Sequence, residues 1–248
     1  LGRMHTVAEG QRAFEIAKDC FGRVSFDLIY ARQDQTVSAW KAELREALSL
    51  AADHLSLYQL TIEAGTAFGD RYERGKLRGL PEDDDAAEMY EVTQTMCADA
   101  GFVTYETSNH ARDGQESRHN KVYWQYGDYV GIGPGAHGRV TIDGTRFATV
   151  SHAAPVGWLK AVNQSGNGES EREALTVADQ AVELLLMGLR LNDGMRLDRI
   201  DRLSGGIYDN NINELISTGL LEIDNGHLRT THRGRPLLNA VLREILAD

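Results

Sequence analysis

Val24-Ser25-Phe26-Asp27-Leu28-Ile29-Tyr30 is the stretch on which the reading of the fold turns. It is short, dominated by apolar and aromatic residues, and shows no helical spacing, so it reads as a mostly buried strand of the kind found in parallel sheets. Upstream, Thr6 and Glu9 are spaced as a capping box, and Ala13, Phe14 and Ala17 continue a helical stripe. Downstream, Thr36 is placed to cap a helix whose Trp40, Leu44 and Leu48 recur at helical spacing. His54-Leu55-Ser56-Leu57-Tyr58-Gln59-Leu60 is the next strand. Pro81 and Glu82-Asp83-Asp84-Asp85 open a helix where negative charge suits the positive end of the helix dipole. Gly101 closes it, and Phe102-Val103-Thr104-Tyr105 is a third strand. Strand alternating with helix predicts βαβ units and a parallel sheet, an α/β fold.

The pattern changes after Gly138. Val140-Thr141-Ile142, the turn Asp143-Gly144 and Arg146-Phe147-Ala148-Thr149-Val150 predict a hairpin. Residues 163–173 are polar, contain glycine and lack apolar periodicity, and so read as a linker. Beyond them Thr176 caps a helix over 177–189, and further helices are expected over 197–203 and 207–218. A hairpin follows, with Leu220-Leu221-Glu222-Ile223 and His227-Leu228-Arg229-Thr230 joined through Asp224-Asn225-Gly226. A last helix runs over 234–246. Three helices followed by a hairpin is the winged-helix order.

The chain has 248 residues and a net charge of −11. That charge argues against non-specific binding to nucleic acid or anionic membrane, since both need a basic surface. From Thr176 onward there are eleven acids against eight Arg and no Lys, so the winged-helix segment lacks the usual basic recognition surface and no nucleic-acid partner is expected. No apolar run reaches the ~18 residues of a membrane span, and no secretory signal is visible. The two cysteines, Cys20 and Cys97, are far apart and define neither a disulfide framework nor a thiolate site.

Several residues are candidates for chemistry. Asp27, inside an apolar strand, either makes a structural hydrogen bond or contacts a ligand. Gln59 and Thr61 end the second strand, where parallel α/β folds bind ligands, but a solvated strand end is the equal alternative. Glu106 is similarly placed. Gly131-Ile132-Gly133-Pro134-Gly135-Ala136-His137-Gly138 lets backbone approach a ligand, although its spacing is not the dinucleotide fingerprint. His119, Asn120, Tyr123 and Trp124, in Ser117-Arg118-His119-Asn120-Lys121-Val122-Tyr123-Trp124, join an imidazole suited to iron with flat aromatic rings suited to a porphyrin face. A surface histidine is the alternative for both His119 and His137.

The last two runs, with Asp27-Leu28-Ile29-Tyr30, Gln35-Thr36 and Leu1-Gly2-Arg3-Met4-His5, resemble the HemW family of haem chaperones. That family is a branch of the radical S-adenosylmethionine (SAM) proteins related to the oxygen-independent coproporphyrinogen III oxidases. The resemblance runs through nearly the whole chain. It departs at Ala31-Arg32-Gln33-Asp34, where the family carries Gly-Leu-Pro-x. The resemblance implies the second half of a radical SAM partial (β/α) barrel, with a HemW-type extension, over 1–165. A small winged-helix-like domain follows over 174–248. It implies SAM contacts at Arg3, Asp27, Gln59, Thr61, Ile132 and Gly133, and haem contacts among His119, Asn120, Tyr123, Trp124 and His137. The implied function is that of a cytoplasmic haem chaperone that binds haem and SAM and delivers haem to acceptor haemoproteins, membrane-associated respiratory enzymes among them. The alternative is an oxygen-independent coproporphyrinogen III oxidase acting in porphyrin biosynthesis. The family's CxxxCxxC motif for a 4Fe-4S cluster is not in this sequence. The chain therefore reads as an inactive piece of a longer protein whose intact form carries the cluster, and no catalytic residue or cluster ligand is assigned here.

Overall fold

The computed structural model describes residues 4–62 and 64–247, arranged as two compact units, Leu1–Ser117 and Arg118–Asp248.

The first unit runs α1 (Val7–Cys20), β1 (Phe26–Tyr30), α2 (Val37–Leu50), β2 (His54–Gln59), α3 (Ala67–Glu73), α4 (Asp83–Asp99), β3 (Val103–Glu106) and β4 (Asn109–Ala111). Thr6 and Glu9 close the expected capping box on α1, and the Thr36 hydroxyl accepts the Ala39 N–H at the start of α2. The sheet order is β1-β2-β4-β3. Only β1 and β2 pair in parallel, while β4 is antiparallel to both its neighbours. The expected run of parallel strands is thus interrupted. A tight turn after Glu106 sends the chain straight back, so β4 slots between β2 and β3 and takes the hydrogen bonds a parallel β3 would have made.

One face of this sheet packs on α2 and α4. Leu55, Leu57, Trp40, Leu44, Met89 and Phe102 form the buried core there, with Phe26 and Leu28 packed against it. Strand alternation puts Asp27 on the other face, beside Ser56, where it is exposed. The expectation of a mostly buried strand is corrected on this point. β1 is an edge strand with one helix-covered face, so its carboxylate needs no buried partner.

The loop after β1 is held by side chains. Arg32 forks onto Glu43 at 2.9 and 2.6 Å and donates to the Ile29 carbonyl at 2.8 Å, and Gln35 donates to Glu43 at 3.1 Å. Ala31 adopts a left-handed φ of 56°. An L-residue is penalised there by about 1–2 kcal/mol. Ala31→Gly is therefore expected to stabilise the protein by about 0.5 kcal/mol in urea unfolding, after allowance for the freer unfolded chain. A lower midpoint would show that this turn carries no strain.

The second unit runs α5 (Arg118–Trp124), β5 (His137–Ile142), β6 (Thr145–Ser151), α6 (Pro155–Ser165), β7 (Glu169–Ala174), α7 (Val177–Gly188), β8 (Met195–Arg196), α8 (Leu197–Ser204), α9 (Asp209–Ser217), β9 (Leu221–Asp224), β10 (His227–Thr230) and α10 (Leu238–Ile245), the last preceded by a single 3-10 turn. The β5–β6 hairpin turns through Asp143 and Gly144, both at positive φ, as a two-residue hairpin requires. The expected linker over 163–173 is not one. α6 ends at Gly166, and β7 pairs antiparallel with β6 from Phe147↔Ala174 to Ser151↔Glu169. β7 carries charges because it is an edge strand with exposed side chains, so it shows no apolar period. Helices α7 to α9, the strands β8-β10-β9 and α10 build the expected winged helix around Leu184, Leu185, Ile200, Leu228 and Ile245.

Candidate functional site

Each unit carries one candidate cluster. In the first, the sheet face opposite α2 and α4 is lined with polar groups in register. Ser25 Oγ lies 2.8 Å from His54 Nδ1, and His54 Nε2 lies 2.8 Å from the Tyr105 hydroxyl. Ser56 Oγ donates to Asn109 Oδ1 at 3.0 Å, and Asn109 Nδ2 donates in turn to the Glu106 carboxylate. His54, Ser56, Glu106 and Asn109 are all buried. Burial pushes the His54 pKa down, against the opposing charge of Asp53. Asp27 shares this face, and its carboxylate makes no hydrogen bond or ion pair among the described residues. Gln59 aligns with Tyr30, so its side chain belongs to the opposite face, at the exposed end of β2. Thr61, also exposed, donates to the Gln59 carbonyl at 3.3 Å. Arg3 lies outside the described residues.

Sequence reasoning considered Glu106 but not His54, Ser56, Tyr105 or Asn109. The signal was available in β2, where His54-Leu55-Ser56-Leu57 alternates polar and apolar and so marks two unlike faces.

In the second unit, α5 carries the aromatic motif. His119 is exposed, and its ring meets Tyr123 edge-on at 4.6 Å between centroids. Tyr123 also contacts Tyr129 at 4.2 Å. Trp124 points elsewhere. The Arg190 guanidinium sits 4.5 Å from its ring centroid, and its indole N–H is buried without a hydrogen-bond partner among the described residues. The helix thus brings His119 and Tyr123, four apart, onto one side and turns Trp124, five from His119 and one from Tyr123, away from it. Asn120 is half-buried between them.

The glycine loop closes on itself. A side chain on Gly131 would meet the His137 carbonyl oxygen at 2.6 Å, and one on Gly138 would meet the Gly131 nitrogen at 2.8 Å. These two glycines are required by backbone approaching backbone. Gly133, by contrast, has φ +111° and open space where a Cβ would stand, next to the exposed Ile132. His137 opens β5 and is exposed.

The only cysteines are Cys20, exposed, and Cys97, buried, and no group of three His, Cys, Asp or Glu among the described residues is placed to hold a metal ion. These side chains do not fit an iron–sulfur cluster. The unpaired carboxylate of Asp27 does fit a ligand that donates hydroxyl hydrogens, and the exposed imidazoles of His119 and His137 fit an added iron ligand. No helix among the described residues is long and apolar enough to cross a membrane.

Residues 175–237 match the family model described as the HemN C-terminal domain. The whole fold matches the solved structure of coproporphyrinogen III oxidase (HemN) from Escherichia coli, a radical SAM enzyme, with TM-score 0.74 and 18% identity, covering 99% of this chain and 60% of that one. Over nearly its whole length the chain is similar to radical SAM proteins. It is 38% identical to the mouse protein named radical S-adenosyl methionine domain-containing protein 1, mitochondrial, over 99% of this chain and 58% of that protein. It is 35% and 32% identical to the proteins named heme chaperone HemW from Escherichia coli and Bacillus subtilis, over 100% of this chain and 64% and 65% of theirs. The chain thus spans about 58% of the length of the mitochondrial relative.

Proposed function

We propose that the chain is part of a haem chaperone of the HemW type, which binds haem and SAM and passes haem to acceptor haemoproteins. The observation that supports this best is α5. It presents an exposed imidazole against a tyrosine ring, and the chain is similar over its whole length to proteins named for haem chaperoning. The likeness to the oxidase structure speaks for the fold alone, so the chaperone reading is preferred. His119 is the proposed iron ligand, with Tyr123 and Asn120 beside the macrocycle, Trp124 holding the helix, and His137 as the next ligand candidate. Asp27 is the proposed acceptor for the SAM hydroxyls, with Arg3, Gln59, Thr61, Ile132 and Gly133 as further proposed contacts. Bound SAM supplies the family's radical chemistry only with a reduced cluster, and no step is assigned to this chain. Acceptors in the respiratory membrane are proposed, and the proposed compartment is the cytoplasm. Cell fractionation decides between it and the mitochondrion for which the mouse relative is named.

Haemin titration of the wild type, His119→Ala and His137→Ala, followed by the Soret band, tests the proposal. A spectrum altered in His119→Ala alone is the expected result. Identical spectra and affinities in all three remove both ligands from consideration. In parallel, Asp27→Ala is expected to weaken SAM binding by the ~1.5–3 kcal/mol of a lost charge-assisted hydrogen bond. Unchanged SAM affinity would return Asp27 to a merely solvated strand position.

A further inference from the structure

The C-terminal end of α5 is closed in an unusual way. The Gly127 N–H bonds the Val122 carbonyl at 2.8 Å and the Tyr126 N–H bonds the Tyr123 carbonyl at 2.9 Å, the two bonds of a Schellman motif. The left-handed position of that motif ordinarily takes Gly, but here it is Tyr126, at φ 53°. Non-glycine residues held in this conformation persist where surrounding structure over-determines them, and they cluster at functional sites.

What holds Tyr126 is the C-terminal module together with Arg139 and Arg146 of the β5–β6 hairpin. Its ring is part of the winged-helix core. Its hydroxyl donates to Glu183 on α7 at 2.7 Å, and the Arg146 guanidinium stacks over the ring at 3.9 Å. Glu183 is itself gripped by Arg139 through contacts of 2.7 to 3.1 Å. Burial alone would raise the Glu183 pKa, but the hydrogen bonds from Arg139 and Tyr126 and the charges of Arg139 and Arg146 outweigh burial and keep it low. Arg199 on α8 donates to the Gln125 carbonyl at 2.8 Å. The short helix that carries His119 and Tyr123 has no buried residue of its own. Beside the Trp124–Arg190 contact, what anchors it is this clamp at its end.

We infer that Tyr126, held by Glu183, is the positioning residue of the motif helix, so that the winged-helix module sets where His119 and Tyr123 stand. This inference rests on the haem reading above for its functional consequence. Its mechanical part does not. Tyr126→Phe removes one hydroxyl and Glu183→Gln removes one charge at constant shape, so neither disturbs packing. In the ¹⁵N-labelled protein, both variants are expected to move the Trp124 indole resonance, assigned by Trp124→Phe, and to leave that of Trp40 in place. Both are expected to weaken haemin binding about tenfold, the loss of about 1.4 kcal/mol, with the Soret position unchanged because the ligand itself remains. The double variant should be no weaker than either single one, because the two groups act through one contact. An unmoved Trp124 resonance overturns the inference. So does a moved resonance with unchanged haemin affinity, provided that His119→Ala weakens binding. If His119→Ala has no effect either, the haem reading is what fails, and the moved resonance still supports the clamp.

Discussion

Trp40→Ala is expected to destabilise the first unit by about 3–5 kcal/mol, the range for emptying a buried aromatic site. Trp40 has no solvent exposure, stacks on Tyr30 at 4.9 Å with the rings 14° apart, and donates its indole N–H to Thr93 at 2.8 Å. Thr93 passes its own hydroxyl hydrogen to the Met89 carbonyl at 2.7 Å, so one side chain of α2 ties together β1 and α4. Truncation leaves a cavity and removes the donor to Thr93. Trp40→Phe keeps a ring for the stack while losing the hydrogen bond and part of the indole volume, and should cost less, about 1–2 kcal/mol. Urea unfolding followed by circular dichroism measures both. Equal costs for the two variants would mean that the volume of the indole is not what matters. Tyr30 immediately precedes the strained turn at Ala31, so loss of the stack is also expected to loosen the loop of Arg32 and Gln35.

Acidification is expected to remove about 3 kcal/mol between pH 6.5 and 4 through His110 alone. His110 is fully buried on β4, and neither ring nitrogen has a hydrogen-bond partner among the described residues. Burial, with the nearby His54, pulls its pKa down from 6.5 to about 4, and a backbone interaction at Ser108 offsets little of this. The folded protein therefore holds His110 neutral while the unfolded chain takes up a proton. The stability is complete above pH 6.5 and falls as pH drops toward 4. His54 shifts in the same direction for the same first cause. His110→Leu is expected to flatten this window and to leave stability at pH 7 unchanged or raised, since it removes two unsatisfied nitrogens. Thermal unfolding of both proteins at pH 7, 5.5 and 4.5 provides the check. Parallel pH profiles would show that His110 is not the titrating group.

Much of the architecture is written locally. The caps at Thr6, Thr36 and Thr176, the apolar stripe of Trp40 and Leu44, and Asp143-Gly144 between alternating strands are short-range signals, and each element formed where they stand. The resemblance pointed to the family, and the order of three helices and a hairpin pointed to the winged helix. What was not legible depends on partners distant in sequence. β4 owes its place to two neighbours, β7 forms from charged residues because β6 supplies a ladder, and the exposure of Asp27 follows from β1 standing at a sheet edge. In the candidate sites, His119, Asn120, Tyr123 and Trp124 fall on one helix, but the divergence of Trp124 from His119 needed the position of Arg190. The role of Tyr126 needed Glu183, 57 residues away.

The charged edge at β7 bears on how copies of the protein meet in solution. A free sheet edge offers unpaired backbone groups to any passing strand, and charge along it is what discourages the approach. Glu171, Arg172 and Glu173 stand exposed on that edge, with Glu169 holding Arg172 at 2.8 Å. A second copy adding strand to strand would set like charges against each other at the sheet spacing of about 4.8 Å. Salt weakens this barrier, since the screening length falls to about 3 Å at 1 M. The protein is then expected to tolerate high concentration best in dilute buffer, and to become prone to association in concentrated salt, the reverse of a protein kept apart by its hydration alone.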